Sequence, residues 1–251
     1  MKVNKEKFTC ITCYDSTFAQ VINDVRSETI LVGDALGMVL QGHETTVPVT
    51  MEQMIYHTEC VARGNKTSLI LSDLPFMAYT TIEEAVSNSK RLLQAGAHVV
   101  KLEGGIWLKD ITLKLSSLGV PVCCHLGLTP QYINSMGSYR VHGRTDFEAN
   151  EILEAAIALK EAGASMLVLE CVPQKLAAQI TAELDIPVIG IGAGKDTDGQ
   201  VLVLHDLLGI TKKPAKFVKN FMENQHSIEG ALRNFVTSVK SGSFPAEEHI
   251  Y

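Results

Sequence analysis

The stretch AGAHVVKLE, residues 95–103, returns later in the chain as AGASMLVLE, residues 162–170. Each copy ends a helical pattern on glycine, continues as an apolar run and stops on glutamate. Glycine past the end of a helix is the common stop, because it accepts the left-handed backbone that ends the turn. An unbroken apolar run marks a strand covered on both faces, and such strands belong to parallel sheets flanked by helices. The repeat therefore defines a helix-then-strand unit.

The same unit extends in both directions. Strand-like runs stand at 8–15 (FTCITCYD), 29–34 (TILVGD), 68–73 (SLILSD), 98–103 (HVVKLE), 120–125 (VPVCCH), 165–170 (SMLVLE) and 186–192 (IPVIGIG), with a weaker eighth at 201–206 (VLVLHD). Between them, segments such as 50–64, 81–96 and 146–163 carry apolar residues at three- and four-residue intervals. Gly64, Gly96, Gly119 and Gly163 stand at helix ends. Seven or eight such units predict an α/β fold, a (β/α)8 TIM barrel in a single domain over residues 1–251 with a helical C-terminal extension. A doubly wound open sheet is the alternative, because the eighth strand is weak. No linker or low-complexity segment divides the chain.

A chain of 251 residues suits one barrel. Its formal charge of −6 argues against nucleic acid as a partner. It has no run of 18 apolar residues, so no membrane span is expected. The opening MKVNKEKFTC lacks an apolar signal core, which leads us to expect a cytoplasmic protein. Cys10 and Cys13 form a C-x-x-C, but no second pair or ligand-spaced histidines follow. The six cysteines are expected to be reduced thiols packed as small hydrophobes.

What ends the strands carries the chemistry. The terminal residues are Asp15, Asp34, Asp73, Glu103, His125 and Glu170. Ligands of parallel α/β folds bind outside the carboxyl ends of the strands, so these groups are expected at one end of the barrel. Asp15 is equally readable as a helix N-cap. Crowded carboxylates repel until a proton or cation relieves them, and an all-oxygen set suits a hard divalent ion, Mg²⁺ above all. Lys101 shares a strand face with Glu103 and would meet an anionic substrate. In the second copy Val168 takes the place of Lys101, which leaves Glu170 without a cation beside it. The glycine-rich GIGAGKDTDGQ, 190–200, is not a phosphate-binding P-loop and reads as close backbone packing. Residues 126–145 have no clean period and read as a functional loop. The end, KSGSFPAEEHIY, reads as a mobile or docking tail.

The blocks LVGDALGMVLQGHETTVPVT (31–50), SDLPFMAY (72–79), VKLEGG (100–105), HLGLTPQ (125–131), LVLECVP (167–173) and IPVIGIGAGKDTDGQVLVLHDLLGI (186–210) resemble the ketopantoate hydroxymethyltransferase family. The resemblance runs in order over nearly the whole chain. It implies a (β/α)8 barrel that uses Mg²⁺ and assembles as a pentamer of dimers, a homodecamer. It implies transfer of a hydroxymethyl group from methylene-tetrahydrofolate to 3-methyl-2-oxobutanoate through an enolate, in pantothenate synthesis. Carried over by motif, Asp34, Asp73 and Glu103 would form the metal site. Asp34, Ala35, Asp73, Lys101 and His125 would bind substrate, and Glu170 would be the catalytic base. Ala35 departs from the serine usual in that family, so a hydroxyl contact to the keto acid is lost, although the Ala35 backbone N–H remains. Two other readings use the same acids: an enolate-forming lyase or phosphonomutase barrel, and a metabolite-binding barrel without catalysis. The first lacks its usual mobile-loop cysteine motif here, and the intact acid set counts against the second.

Overall fold

The computed structural model, which describes residues 1–251, contains eight parallel strands: β1 (Phe8–Thr12), β2 (Thr29–Val32), β3 (Leu69–Asp73), β4 (Val99–Glu103), β5 (Val122–Gly127), β6 (Met166–Glu170), β7 (Val188–Ile191) and β8 (Gly199–Leu202). They pair in sequence order, and β8 pairs with β1, Val201 lying level with Cys10. The sheet is thus a closed barrel, and the open-sheet alternative is excluded. The connections hold helices α1 (Ser16–Asp24), α2 (Leu36–Val39), α3 (Met51–Gly64), α4 (Ile82–Gln94), α5 (Lys109–Ser117), α6 (Ile133–Met136), α7 (Asp146–Glu161), α8 (Gln174–Glu183), α9 (Leu204–Leu207) and α10 (Ile228–Lys240).

Local chemistry sets the helix ends. Thr50 and Gln53 cap α3 reciprocally, and Thr81, Thr145 and Ser227 each accept a backbone N–H at the start of α4, α7 and α10. Such caps satisfy N–H groups that the helix itself leaves unpaired. Gly96 and Gly163 end their helices with φ of +109° and +97°, as the repeat predicts. Gly64 works differently. It is the last residue of α3, and a Cβ there would lie 2.2 Å from the Ser16 carbonyl oxygen. It is required for the close approach of α3 to α1, not for a left-handed stop.

Two features depart from the expected pattern. The apolar run at 201–206 is split: Val201 and Leu202 end β8, while Leu204 already begins α9. No helix separates β7 from β8; residues 192–198 return directly. Gln200 Nε2 donates to the Gly194 carbonyl at 2.9 Å and to Thr197 Oγ1 at 2.8 Å, and Asp198 Oδ2 accepts the Val188 N–H at 2.9 Å. The glycine-rich segment is therefore packed against its own strands. The C-terminal segment docks: Phe244 packs edge-on against Phe221 and Phe235, and the Gln174 N–H reaches the Tyr251 carbonyl. Helix α10 lies against β1 and α1.

All six cysteines are free and all but Cys60 are buried; burial pushes the Cys10 thiol up to about 12. Cys13 lies just past the end of β1, so the C-x-x-C does not share one strand. No helix is long and apolar enough to cross a membrane.

Candidate active site

The barrel register sets which side chains meet. Asp73 on β3 lies level with Lys101 on β4, and Glu103 on β4 lies level with His125 on β5. From these pairs a continuous row of ionisable groups crosses the C-terminal mouth of the barrel. The Asp34 N–H donates to Asp73 Oδ2 at 3.0 Å. Lys101 Nζ stands 2.8 Å from Asp73 Oδ1 and 3.4 Å from Glu103 Oε1. His125 Nδ1 is 3.2 Å from Glu103 Oε1, and its Nε2 approaches Glu170 Oε2 at 3.2 Å, a close ionic approach without hydrogen-bond alignment. Carboxylate oxygens of Asp34, Asp73 and Glu103 lie within 4.8 Å of one another. Of the strand-end residues named from the sequence, five join this row.

Asp15 does not. It is the N-cap of α1 and accepts the Phe18 N–H at 2.9 Å, facing solvent. The bare surroundings expected for Glu170 are also corrected: Val168 does line the same cavity, but the His125 imidazole supplies a cation from the neighbouring strand. The repeat motif contains β6 alone and so could not show what β5 brings.

Electrostatics follows from burial. Burial, reinforced by Glu103 and Asp73, holds the Asp34 carboxyl well above the usual range. Burial also raises Asp73, although Lys101 opposes it. For Glu103 the burial cost is outweighed by Lys101 and His125, which hold it below the usual carboxylate range. Burial alone would depress Lys101, but Asp73, Glu103 and Asp34 together hold it well above its ordinary value. Burial opposes the charge on His125 as well, yet Glu103 and Glu170 push it up to about 9. At neutral pH its ring is an imidazolium between two carboxylates.

Above this floor opens a cavity of about 550 Å³. Its floor includes Asp34, Ala35, Asp73, Lys101, Glu103, His125 and Glu170, so every residue expected to bind substrate faces one space. The Ala35 N–H serves no other residue of the chain. The loop at 126–145 contributes Tyr139, Arg140 and Arg144 to the lining, which Phe217 and Tyr251 join from the C-terminal part of the chain. Sequence reasoning missed these aromatic side chains, and it missed Gln131, buried beneath the acids and bonded to two of them. A neutral amide in the loop block HLGLTPQ carries no signal of its own; only its contacts across the fold reveal it.

The family described as ketopantoate hydroxymethyltransferase matches residues 1–247. Among curated relatives, the 3-methyl-2-oxobutanoate hydroxymethyltransferase of Marinobacter nauticus is 56% identical, covering 100% of this chain and 95% of that protein. The protein of the same name from Pseudomonas fluorescens is 56% identical over 99% of this chain and 94% of its own length. Solved structures similar in fold include a putative phosphonomutase from Burkholderia cenocepacia (TM-score 0.65, 13% identity, 83% of this chain and 93% of that one). A phosphonopyruvate hydrolase in complex with oxalate and Mg²⁺ aligns with a TM-score of 0.64 at 9% identity, over 98% of this chain and 89% of that one. These distant structures share the barrel, whereas the relatives share more than half of their residues over the full length. The chain therefore belongs to the ketopantoate hydroxymethyltransferase family of enzymes.

Proposed function

We propose that this enzyme transfers a hydroxymethyl group from methylene-tetrahydrofolate to 3-methyl-2-oxobutanoate, giving ketopantoate for pantothenate synthesis, with Mg²⁺ held by Asp34, Asp73 and Glu103. The observation that carries this reading is the buried carboxylate triad, joined through His125 to the carboxylate of Glu170 at the open side of the cavity. The donor set fits a hard divalent cation. Its ligand atoms are all oxygen, and Asp73 Oδ1, buried beside the Lys101 ammonium, accepts no aligned hydrogen bond. The row holds four carboxyl groups against the two cations Lys101 and His125, an excess of acidic groups that a bound cation would meet. When bound, the ion supplies Lewis-acid polarisation of the keto acid.

The chain's own residues do the rest. Lys101, fixed by two carboxylates, presents a positive charge to the anionic substrate from the cavity floor. The Ala35 N–H is placed to donate to its carboxylate. Glu170 takes the C3 proton as general base. The charged His125 ring stands 3.2 Å from that carboxylate. For the donor, the same cavity offers the aromatic side chains of Tyr139, Phe217 and Tyr251 and the Arg144 guanidinium. These groups suit a flat, carboxylate-bearing carrier. We further propose a cytoplasmic homo-oligomer, and the exposed Met77, Ile106 and Trp107 support association between copies.

A steady-state assay of ketopantoate formation from 3-methyl-2-oxobutanoate and methylene-tetrahydrofolate tests the proposal. Turnover should require both substrates and should vanish when chelator removes Mg²⁺. Full activity in chelator would overturn the metal assignment, and no ketopantoate with both substrates and Mg²⁺ would overturn the function.

A further inference from the structure

Gln131 holds two acids of the row, as Lys101 and His125 do, yet it is neutral and its side chain belongs to no charged pair. Its backbone N–H donates to Glu103 Oε2 at 3.1 Å. Its Nε2 donates to Asp34 Oδ2 at 2.8 Å and to the Leu74 carbonyl at 3.0 Å. Its Oε1 accepts the Tyr79 hydroxyl at 2.6 Å. Gln131 is 2% exposed, and every polar atom of its side chain is used. Both neighbours of Nε2 are acceptors, so the amide can face only one way. A carboxylate in its place would set acceptor against acceptor, and a shorter amide would not reach.

The anchor behind it is equally fixed. The Tyr79 hydroxyl lies 2.9 Å from the Glu103 carbonyl and accepts the Glu103 N–H at 3.2 Å. Its ring stacks on Trp107, centroids 6.0 Å apart with 2° between planes. Tyr79 and Gln131 therefore brace Glu103 through both its backbone and its carboxylate, and the same amide reaches across to Asp34 on the far side of the triad.

We propose that Gln131, held by Tyr79, is the positioning residue that sets the spacing of Asp34 and Glu103 for a divalent cation. This rests on the reading of the triad as a cation site. The physical argument is one of orientation. In the ionised form that a cation requires, Asp34 and Glu103 repel each other and would swing apart if nothing held them. A donor reaching each from a single rigid residue fixes one oxygen of each and leaves the other free to face a cation. Groups that orient metal ligands in this way typically change affinity about 10–100-fold when removed.

Calorimetric titration with Mg²⁺ tests it, in wild type, Gln131→Met and Tyr79→Phe, with the thermal midpoint of each metal-free protein measured alongside. Gln131→Met keeps the volume of the side chain and removes its donors. We expect its Mg²⁺ affinity to fall by about 10–100-fold by more than any change in midpoint accounts for. Tyr79→Phe keeps the stack on Trp107 and leaves the Gln131 donors in place, while it removes the hydroxyl that holds Gln131 Oε1 and the Glu103 N–H, so its affinity should fall less. Affinity within twofold of wild type in folded Gln131→Met overturns the proposal. Should Gln131→Met not fold, unchanged affinity in Tyr79→Phe overturns it instead. A wild type that binds no Mg²⁺ refutes the cation site itself, and with it this inference, which separates the two failures.

Discussion

Glu103 and Glu170 end two copies of one sequence motif, on β4 and β6, yet the barrel gives them different surroundings. The Glu103 side chain is 2% exposed and that of Glu170 15%. Level with Glu103 on the next strand stands His125; level with Glu170 on β5 stands Gly127, which has no side chain, and on β7 Ile191. Glu103 is gripped by Lys101, His125 and the Gln131 N–H, whereas Glu170 is approached by His125 alone. An acid held from three sides as a permanent anion is suited to hold a cation. An acid with one partner and an open side is free to take a proton. Local sequence makes the two alike, and neighbouring strands make them different.

If that division is right, removing each charge must break a different function. Glu170→Gln keeps the shape of the side chain and cannot accept a proton. Exchange of the C3 proton of 3-methyl-2-oxobutanoate into deuterated water, followed by proton NMR, should slow by roughly 10²–10⁴-fold, the usual worth of a general base. Mg²⁺ affinity by calorimetry should barely move. Exchange at the wild-type rate would remove Glu170 from the role of base.

Glu103→Gln should act on the metal site and on the fold. It removes a ligand and strands the His125 imidazolium and part of the Lys101 charge in the barrel interior. Breaking a buried pair in this way costs about 3–5 kcal/mol. A clear drop in thermal midpoint together with lost Mg²⁺ binding is expected, while Glu170→Gln keeps its midpoint. Equal destabilisation by the two variants would dissolve the distinction between the two acids.

A smaller effect sharpens the comparison through pH. Burial and its acidic neighbours hold Asp34 well above the usual range, whereas Lys101 and His125 hold Glu103 below it, so of the two Asp34 is the first to take up a proton as pH falls. A cation requires the deprotonated form, so Mg²⁺ affinity should fall as pH drops through the Asp34 range, by up to about tenfold per pH unit for one proton released. The sign for stability is opposite. A raised carboxyl favours the fold at low pH, and that contribution is lost as pH rises through its folded value. The rise in thermal midpoint on adding Mg²⁺ should therefore grow with pH. A midpoint shift independent of pH would place the proton elsewhere.

How much of this was legible beforehand follows from what each signal depends on. The barrel and the residues Asp34, Asp73, Lys101, Glu103, His125 and Glu170 could be read because strand pattern and strand end are local features. The start of β8 could not: Gly199 and Gln200 look like loop, and Gln200 is tolerated in a buried strand only because Gly194 and Thr197 accept from its amide. The missing helix between β7 and β8 was hidden by the apolar run that spills from strand into α9. Gln131 was invisible because its partners lie far away in sequence, and Asp15 misled because an N-cap and a strand-end acid occupy the same place in the pattern.

The smallest expected effect tests the other end of the motif, where the two copies look most alike. Gly96 and Gly163 share positive φ, so alanine is strained at both by about 1–3 kcal/mol. They differ in what a Cβ would touch. At Gly96 it would lie 2.5 Å from the Cβ of Ala62, which can move only with the backbone of α3. At Gly163 it would lie 2.3 Å from Ser116 Oγ and 2.8 Å from Ser116 Cβ. The hydroxyl can rotate away, and the remaining contact is longer than that at Gly96. Gly96→Ala should therefore cost about 1 kcal/mol more stability than Gly163→Ala, read as the larger drop in thermal midpoint. Truncating the obstacle gives the control. Ala62→Gly should recover part of the loss in the Gly96→Ala background, and Ser116→Gly should recover less in the Gly163→Ala background. Equal losses, unaffected by either truncation, would mean that backbone strain alone governs both stops and that the two copies differ only at their glutamate ends.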